Sequence, residues 1–227
     1  MQSNVNSLFI FVRMIDGYRH KGMRRQLIEE LKENGISNQA VLEAFDKVPR
    51  HFFLDSSFMN QAYSNVAFQI GAGQTISQPY TVAFQTELLE LERGHRVLEI
   101  GTGSGFQTAI LCALGAKVVS IERQKELYFK AKPIIEKLGY TPNLFFGDGY
   151  KGKASYAPYD SILITCGAPF ISEDLKDQLK VGGKIVAPIG EGKVQTMTRL
   201  TKLEEGEWKV ETYGDFSFVP MLTKTAR

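Results

Sequence analysis

Apolar residues follow a helical period along the first part of the chain. They recur every three or four positions from Met23 to Leu31. The segment 37–49 starts at a serine suited to an N-cap and stops at a proline, where helices usually end. The pattern predicts helices over 22–35, 37–49 and 79–92, with an aromatic-rich irregular stretch before the last of them.

From residue 96 onward, short apolar runs alternate with helical segments. The runs RVLEI, AKVVSIE, NLFF, YDSILIT and KIVAPIG are predicted strands, and FQTAILCALG, RQKELYFKAKPIIEKLG and SEDLKDQLKVGG are predicted helices. This alternation is typical of βαβ units, in which helices cover both faces of a parallel sheet. The segment 195–216 instead reads as two strands joined by a Glu-Gly turn, hence an antiparallel pair. The pattern therefore predicts an α/β fold with a helical cap in front and an antiparallel hairpin at the end.

The composition is that of an ordinary globular protein of one large domain. The 227 residues are 43% hydrophobic and 23% charged, and a chain of this length can bury a sizeable core. The net charge is +2, and the lysines are spread along the chain without the basic stripe of a nucleic-acid binder. Cys112 and Cys166 form neither a disulfide framework nor a metal-ligand spacing. We therefore expect a cytoplasmic protein with no nucleic-acid partner and no metal.

The apolar run at 7–14 is too short to cross a bilayer and lacks the flanks of a secretory signal, so no membrane association is expected. Residues 1–19 are assigned to an N-terminal extension, since chain ends are often poorly ordered. The rest is one domain: a helical cap and lid over 20–92, a cofactor-binding core over 93–190, and a hairpin with a substrate groove over 191–227.

A glycine-rich loop joins the first predicted strand of the core to its helix. Gly101, Gly103 and Gly105 permit a tight turn and close approach of a ligand, and the helix N-terminus offers unpaired N–H groups. The spacing is GxGxG and not the GxGxxG of dinucleotide-binding proteins. Taken alone, the loop is as compatible with a structural turn as with a binding site.

Three carboxylates accompany this loop at the ends of successive strands. Glu122 ends the next strand, where an acid can accept both hydroxyls of a ribose. Asp148, in the sequence GDG, lies on the same rim, and Glu99 lies inside the first strand, where a charge is costly unless paired. Three carboxylates and a glycine loop in these places favour a binding site over coincidence.

This constellation resembles the class I S-adenosylmethionine-dependent methyltransferases. They share a Rossmann-like, seven-stranded, mostly parallel sheet with an antiparallel last hairpin. The resemblance implies S-adenosyl-L-methionine as cofactor, with S-adenosyl-L-homocysteine as product. The glycine loop would line its methionine part, Glu122 would hold the ribose, and Asp148 with Gly149 would face the adenine. The implied cofactor-binding residues are Gln74, Thr75, Ile76, Ser77, Glu99, Gly101, Thr102, Gly103, Ser104, Gly105, Glu122, Arg123, Gly147, Asp148 and Gly149.

The wider sequence is similar to the protein-L-isoaspartate O-methyltransferase family from about residue 20 to nearly the end. The shared segments are VPRHFF, AYSN, QTISQPY, VLEIGTGSGFQTAIL, GDG, APYDSILITCGAP, LKDQLKVGGKIVAPIG and FVPM. The glycine loop is common to many methyltransferases, whereas TISQP is specific to this family. The chain departs from the family at Ser64 or Asn65, Phe106 and Met221, which bears on substrate range.

The resemblance implies methylation of the free α-carboxylate of L-isoaspartyl residues in damaged proteins and peptides. The methyl ester would then close to a succinimide and begin repair. A carboxylate is already ionised at pH 7, so this reaction needs no strong base. The three histidines, His20, His51 and His95, indeed form no motif with a nucleophile. Orientation and exclusion of solvent are what such an enzyme must supply.

Ser77 has two interpretations. Because Pro79 follows it closely, the residues alone favour an N-cap for the helix starting there. The resemblance instead places the family's active-site serine on Ser77, facing the substrate. It also implies substrate contacts from Val219, Pro220 and Thr223, although a strand at the sheet edge explains that segment equally well.

Three other functions compete with this interpretation. A class I methyltransferase acting on a small metabolite or RNA is the nearest. A nicotinamide-dependent oxidoreductase is disfavoured by the loop spacing, and a catalytically inactive cofactor-binding protein by the presence of Ser77, Glu122 and Asp148. The expected partners are isoaspartyl-containing proteins and peptides, and the expected state is a monomer.

Overall fold

A computed structural model describes residues 15–226, apart from the side chain of Glu205. Most of the predicted N-terminal extension therefore lies outside the described residues. Within them, helix α1 (Tyr18–Glu33) begins four residues before the predicted start. Arg24 pairs with Asp16 at 2.9 Å, which fixes the segment just before the first turn of this helix.

Helix α2 (Gln39–Lys47) has Asn38 as its N-cap, not Ser37. The Oδ1 atom of Asn38 accepts the N–H of Ala40 at 3.0 Å. Ser37 instead donates through its N–H and its hydroxyl to Oε1 of Glu87, at 2.9 and 3.1 Å. The serine therefore joins the start of α2 to a later helix.

The aromatic-rich stretch forms two 3₁₀ turns, Arg50–Phe53 and Ser56–Gln61. A small hairpin follows that was not predicted, with strands β1 (Phe68–Gly71) and β2 (Gln74–Ile76). Its strands are too short to show a clear period. Helix α3 (Pro79–Leu88) starts where predicted and ends earlier, since Glu90 adopts a φ of 49° that no α-helix contains.

The core is a seven-stranded sheet in the order β5-β4-β3-β6-β7-β8-β9. Strands β3 to β7 are parallel, and β8 and β9 form the antiparallel hairpin at the edge. The strands are β3 (Arg96–Ile100), β4 (Lys117–Glu122), β5 (Asn143–Phe146), β6 (Tyr159–Ile164), β7 (Leu179–Ile189), β8 (Gln195–Lys202) and β9 (Trp208–Phe216). The helices between them are α4 (Phe106–Ala113), α5 (Lys125–Lys137) and α6 (Glu173–Asp177). This confirms the predicted α/β class.

The helix predicted from SEDLKDQLKVGG is largely wrong. Only α6 is helical, and the second half of the predicted segment, from Leu179 onward, belongs to β7. Leu179 pairs with Tyr159 of β6, and Gly182 has a φ of 77°, which a helix does not tolerate. Sheet pairing overrides the helical spacing of the apolar residues here.

Helices cover both faces of the sheet. Leu98 and Ile100 of β3 pack in one layer with Leu175 of α6, whereas Val97 packs in another with Leu88 and Leu111 of α3 and α4. The strand order reverses between β3 and β6, so a crevice opens at their carboxyl ends. Among residues 15–226, no helix combines the length and apolar character needed to cross a membrane.

Candidate active site

The glycine loop adopts backbone conformations that only glycine accepts readily. Gly101 and Gly105 have φ values of 98° and 89°. A Cβ atom on Gly101 would lie 2.5 Å from Oγ1 of Thr165, and one on Gly105 would lie 2.8 Å from Cδ1 of Ile135. The loop therefore fits tightly between β6 and α5 and exposes its main chain to the crevice.

A cavity of about 820 Å³, including the part open to solvent, lies above this loop. Most of the predicted cofactor-binding and substrate-binding residues line it: Gln74, Thr75, Ile76, Ser77, Gly101, Thr102, Gly103, Ser104, Glu122, Arg123, Gly149, Val219 and Pro220. Five predicted residues do not line it: Glu99, Gly105, Gly147, Asp148 and Thr223. Strand β2 supplies one part of the wall, and the chain segment after β9 supplies another.

Glu122 holds the loop and the end of β4 together. Its Oε2 atom accepts the N–H of Gly103 at 2.8 Å, and its Oε1 atom accepts the N–H of Gln124 at 2.7 Å. The residue is 4% exposed, and burial raises the pKa of its carboxyl despite these bonds. A carboxylate oxygen has two lone pairs, so each can still accept a ligand hydroxyl.

Glu99 is fully buried beneath the loop and does not reach the cavity. Its Oε2 atom accepts the hydroxyl of Thr108, and its Oε1 atom has no hydrogen-bond partner among residues 15–226. Burial raises the pKa of this carboxyl to about 8. The hydroxyls of Ser120 and Thr102 lie 2.6 Å apart, which continues this polar network up to the glycine loop. Glu99 therefore supports the loop from below.

The carboxylate of Asp148 already accepts hydrogen bonds from the protein's own main chain. Its Oδ1 atom accepts the N–H of Tyr150, and its Oδ2 atom accepts the N–H of Lys224, both at 3.0 Å. Gly147 similarly donates its N–H to the carbonyl of Glu122 at 2.9 Å. Of the GDG sequence, only Gly149 lines the cavity, and a Cβ atom there would collide with Ile100.

The segment after β9 crosses the rim of the sheet and does not form a regular edge strand. Gly167 donates its N–H to Val219 at 2.8 Å, and Met221 donates back to Gly167 at 2.7 Å. These two bonds form an isolated parallel bridge between Gly167 and Pro220, so FVPM pairs at one point and does not form a regular strand. Thr223 lies beyond the cavity wall.

A second groove of about 890 Å³, again including open space, adjoins the first cavity. It runs between the start of α3 and the segment after β9, past aromatic residues such as Tyr80 and Phe216. Four residues line both spaces: Thr75, Ser77, Thr165 and Val219. Ser77 thus lies in the wall between them.

Ser77 does not cap α3. The N-cap is Gln78, whose side chain makes no capping bond, and the N–H of Tyr80 is accepted by Oδ1 of Asn65 at 2.8 Å. Within residues 15–226, no hydrogen bond of the Ser77 hydroxyl is found. The N-cap interpretation is therefore wrong, and the hydroxyl is available to a ligand.

His51 and Cys166 are not suited to act as a base or a nucleophile in this site. His51 is buried, with Nδ1 at 2.8 Å from the Tyr63 hydroxyl, and burial lowers its pKa to about 4. Cys166 lines the cavity, yet burial raises the pKa of its thiol to about 12. Neither group suits a base or nucleophile near pH 7.

Asp16, His20 and His51 bring possible metal-ligand atoms within 4.8 Å of one another. Both oxygens of Asp16 already accept from Arg24, at 3.1 and 2.9 Å. The rings of His20 and His51 are stacked 3.9 Å apart, so their nitrogen lone pairs do not converge on one point. This cluster holds α1 against the turn at 50–53.

Sequence reasoning missed part of the cavity wall. The additional lining residues are Val82, Ile100, Phe106, Gln107, Ile121, Thr165, Cys166, Met221 and Leu222. Thr165 and Cys166 follow the end of β6, and Gln107 follows the glycine loop, so the strand-end rule could have found them. Met221 was singled out only as a departure from the family in FVPM, and no sequence signal marked Leu222; both reach the cavity through the tertiary path of the last segment.

The cavity suits the cofactor that the resemblance implies. The start of α4 offers N–H donors for a carboxylate, whereas the N–H groups of the three loop glycines are already bonded within the protein. Glu122 offers acceptors for hydroxyls. Ile100, Ile121 and Met221 add apolar surface for a flat ring. One cavity therefore combines the three kinds of contact that an amino acid joined to a nucleoside requires.

Comparisons with known proteins give one consistent family. The model of the Protein-L-isoaspartate(D-aspartate) O-methyltransferase family matches residues 22–226. Proteins named protein-L-isoaspartate O-methyltransferase from Christiangramia forsetii and Flavobacterium psychrophilum are 57% and 56% identical over 210 residues. These alignments cover 92% of this chain and 98% of each relative.

Two solved structures share the fold. One, a protein-L-isoaspartate O-methyltransferase, is 31% identical with a TM-score of 0.78 over 87% of this chain, which spans 65% of that protein. The other is a putative protein-L-isoaspartate O-methyltransferase from Plasmodium falciparum in complex with S-adenosyl-L-homocysteine. It is 24% identical with a TM-score of 0.75, and the match covers 88% of this chain and 98% of that one.

Proposed function

The chain belongs to the protein-L-isoaspartate(D-aspartate) O-methyltransferase family, and we propose that Ser77 is where cofactor and substrate meet in it. It is an enzyme that transfers a methyl group from S-adenosyl-L-methionine to the free α-carboxylate of L-isoaspartyl residues in damaged proteins and peptides. The products are the methyl ester and S-adenosyl-L-homocysteine. The ester closes to a succinimide, which begins repair.

The observation that carries the proposal is the wall shared by the two spaces. A methyl group moves directly between two molecules only if both reach the same point. Ser77, Thr75, Thr165 and Val219 border the glycine-loop cavity on one side and the aromatic groove on the other. The cofactor fits the first space and the isoaspartyl peptide the second.

Ser77 acts as a neutral donor to the substrate carboxylate. S-adenosylmethionine, when bound, supplies an activated methyl group on a sulfonium. The carboxylate is already ionised, so the protein has to orient it and exclude water. The free hydroxyl of Ser77 donates to one carboxylate oxygen and leaves the other directed at the cofactor cavity. A lysine there would stabilise the ground state more strongly and raise the barrier. Orientation of this kind supplies up to about 7–11 kcal/mol.

The other predicted residues divide into direct contacts and supports. The glycine loop and the start of α4 line the methionine end, and Glu122 accepts the ribose hydroxyls. Gly149 faces the adenine through its main chain. Asp148 and Glu99 support the site without contacting the ligand. Asp148 accepts the main-chain N–H of Lys224, and Glu99 is buried below the loop.

The proposed organisation is one domain acting as a monomer in the cytoplasm. Residues 20–92 form the cap and lid, 93–190 the cofactor-binding core, and 191–227 the hairpin and groove wall. The two cysteines are unpaired, which suits a reducing compartment.

Methyl transfer to paired peptides tests the function. The two peptides have the same sequence and differ only in carrying Asp or isoAsp at one position, and the methyl donor is isotopically labelled. Labelling of the isoAsp peptide alone is expected. Equal labelling of both peptides would contradict the proposed substrate. Labelling of neither peptide, while S-adenosylhomocysteine still binds, would contradict it as well.

A further inference from the structure

The first turn of α3 has an unused main-chain donor beside the aromatic groove. The first N–H groups of a helix have no carbonyl partner within it. In α3 the first residue is a proline, which has no N–H, and the N–H of Tyr80 is accepted by Oδ1 of Asn65 at 2.8 Å. The N–H of Val82 already reaches the carbonyl of Gln78 at 3.2 Å. Among residues 15–226, the N–H of Thr81 is therefore left without a hydrogen-bond partner.

Thr81 also carries a hydroxyl that the protein does not use. The residue is 6% exposed and lines the aromatic groove, but it does not line the glycine-loop cavity. Within the described part of the chain, its hydroxyl makes no hydrogen bond, yet its oxygen is not one of the fully enclosed polar atoms that lack a partner. The oxygen is therefore accessible, and the small accessible surface of this residue faces the groove that it lines.

A second threonine of the same helix shows what Thr81 leaves undone. The hydroxyl of Thr86 donates to the carbonyl of Val82, four residues earlier, at 2.7 Å. This is the usual way in which a threonine satisfies its hydroxyl inside a helix. Thr81 makes no such bond, so its hydroxyl and its N–H are two free donors at the positive end of the helix dipole. Such a pair suits a carbonyl or carboxylate oxygen of a ligand.

The acceptor has to belong to the molecule in the groove, because Thr81 does not reach the glycine-loop cavity. Ser77, which lines both spaces, is already assigned to the α-carboxylate that reacts. The other acceptors that every isoaspartyl peptide carries, whatever its flanking side chains, are its main-chain carbonyl oxygens. Contact with the main chain suits an enzyme whose substrates are damaged proteins of many sequences.

We propose that Thr81 binds a main-chain carbonyl oxygen of the isoaspartyl peptide through its hydroxyl and its N–H. The inference rests on the proposed function and adds a substrate-binding residue to it. Methyl transfer does not change this carbonyl, so the bond is equally strong in the ground state and in the transition state. Thr81 therefore lowers KM and leaves kcat unchanged, whereas the donor of Ser77 acts on the reacting group.

Two variants of Thr81 test this role by peptide binding and by kinetics. Thr81→Val removes the hydroxyl and keeps the branched shape, and Thr81→Ser keeps the hydroxyl. Fluorescence anisotropy gives the affinity of a labelled isoaspartyl peptide for enzyme saturated with S-adenosylhomocysteine, which has no methyl group to transfer. We expect the Val variant to bind the peptide about 3- to 10-fold more weakly, since one neutral hydrogen bond is lost. Its KM should rise by a similar factor, with kcat within about twofold of the wild type.

The Ser variant should bind the peptide within about twofold of the wild type, and neither variant should change the affinity for S-adenosylhomocysteine. Thr198 offers a matched control. It is 5% exposed, its hydroxyl donates to the carbonyl of Thr196 at 3.1 Å, and it lines neither space. Thr198→Val should leave the peptide affinity unchanged. Thr81→Ala also lacks the hydroxyl and takes the place of a Val variant that does not fold.

Three outcomes would contradict the proposal. They are an unchanged peptide affinity without the hydroxyl, an equal loss in the Val and Ser variants, or a fall in kcat at unchanged KM. A wild type that does not methylate isoaspartyl peptides would instead overturn the proposed function, and this inference with it. A wild type that methylates them isolates any failure to Thr81.

Discussion

Gly103 donates its N–H to Oε2 of Glu122 over 2.8 Å, which joins the glycine loop to the end of the neighbouring strand β4. The same carboxylate is proposed to accept the ribose hydroxyls, so one residue shapes the loop and binds the ligand. Glu122→Gln replaces one accepting oxygen by an amide that donates, opposite an N–H that also donates. We expect affinity for S-adenosylhomocysteine to fall about tenfold or more by calorimetry. Glu136→Gln, on the exposed side of α5, is the control and should bind normally.

Gly101 has no room for a side chain. Gly101→Ala places a Cβ atom 2.5 Å from Oγ1 of Thr165 at a φ of 98°, so the loop has to move. Gly139→Ala meets a similar φ of 82° with nothing within 4 Å. Both variants carry backbone strain of about 1–2 kcal/mol. Only Gly101→Ala should also lose cofactor affinity, and equal affinity in the two variants would show that the loop tolerates the displacement.

The thiol of Cys166 lines the cavity without taking part in the chemistry. Burial raises its pKa to about 12, so it stays protonated at neutral pH. Iodoacetamide should therefore label Cys166 far more slowly than a free cysteine at pH 7.5, as mass spectrometry can follow. Cys166→Ala should keep kcat within a few-fold of the wild type. Loss of activity in this variant with intact cofactor binding would give the thiol a catalytic role.

Glu99 makes stability depend on pH. Its pKa is raised by burial from an ordinary 4.5 to about 8. Between these values the folded protein holds a proton that the unfolded chain releases, so this group lowers stability as pH rises from about 4.5 to about 8. Glu99→Gln removes this contribution. Urea unfolding at pH 5.5 and 8.5 should show a smaller loss for the variant than for the wild type. An equal loss in both would assign the dependence to other groups.

Most strands of the core could be predicted because they are short apolar runs, although the first half of β7 was predicted as a helix. The positions of Gly101, Glu122 and Gly149 at one rim follow directly from that order. The hydrogen bond from the Lys224 N–H to Asp148 could not be predicted, because Lys224 is 76 residues away and reaches Asp148 only through the path of the last segment. The cap on α3 was misassigned for a similar reason. Asn65 reaches Tyr80 across the intervening β1–β2 hairpin, which no local pattern reveals.

The central claim is that Ser77 orients the substrate carboxylate at the wall between two spaces. Its most direct test compares Ser77→Ala and Ser77→Thr for kcat on an isoaspartyl peptide and for affinity toward S-adenosylhomocysteine. Loss of one well-placed donor should lower kcat of the Ala variant about 10²-fold, while cofactor affinity stays near that of the wild type. The Thr variant keeps the hydroxyl and should recover part of the rate. Unchanged kcat in Ser77→Ala, or a parallel loss of kcat and cofactor affinity, would contradict the account.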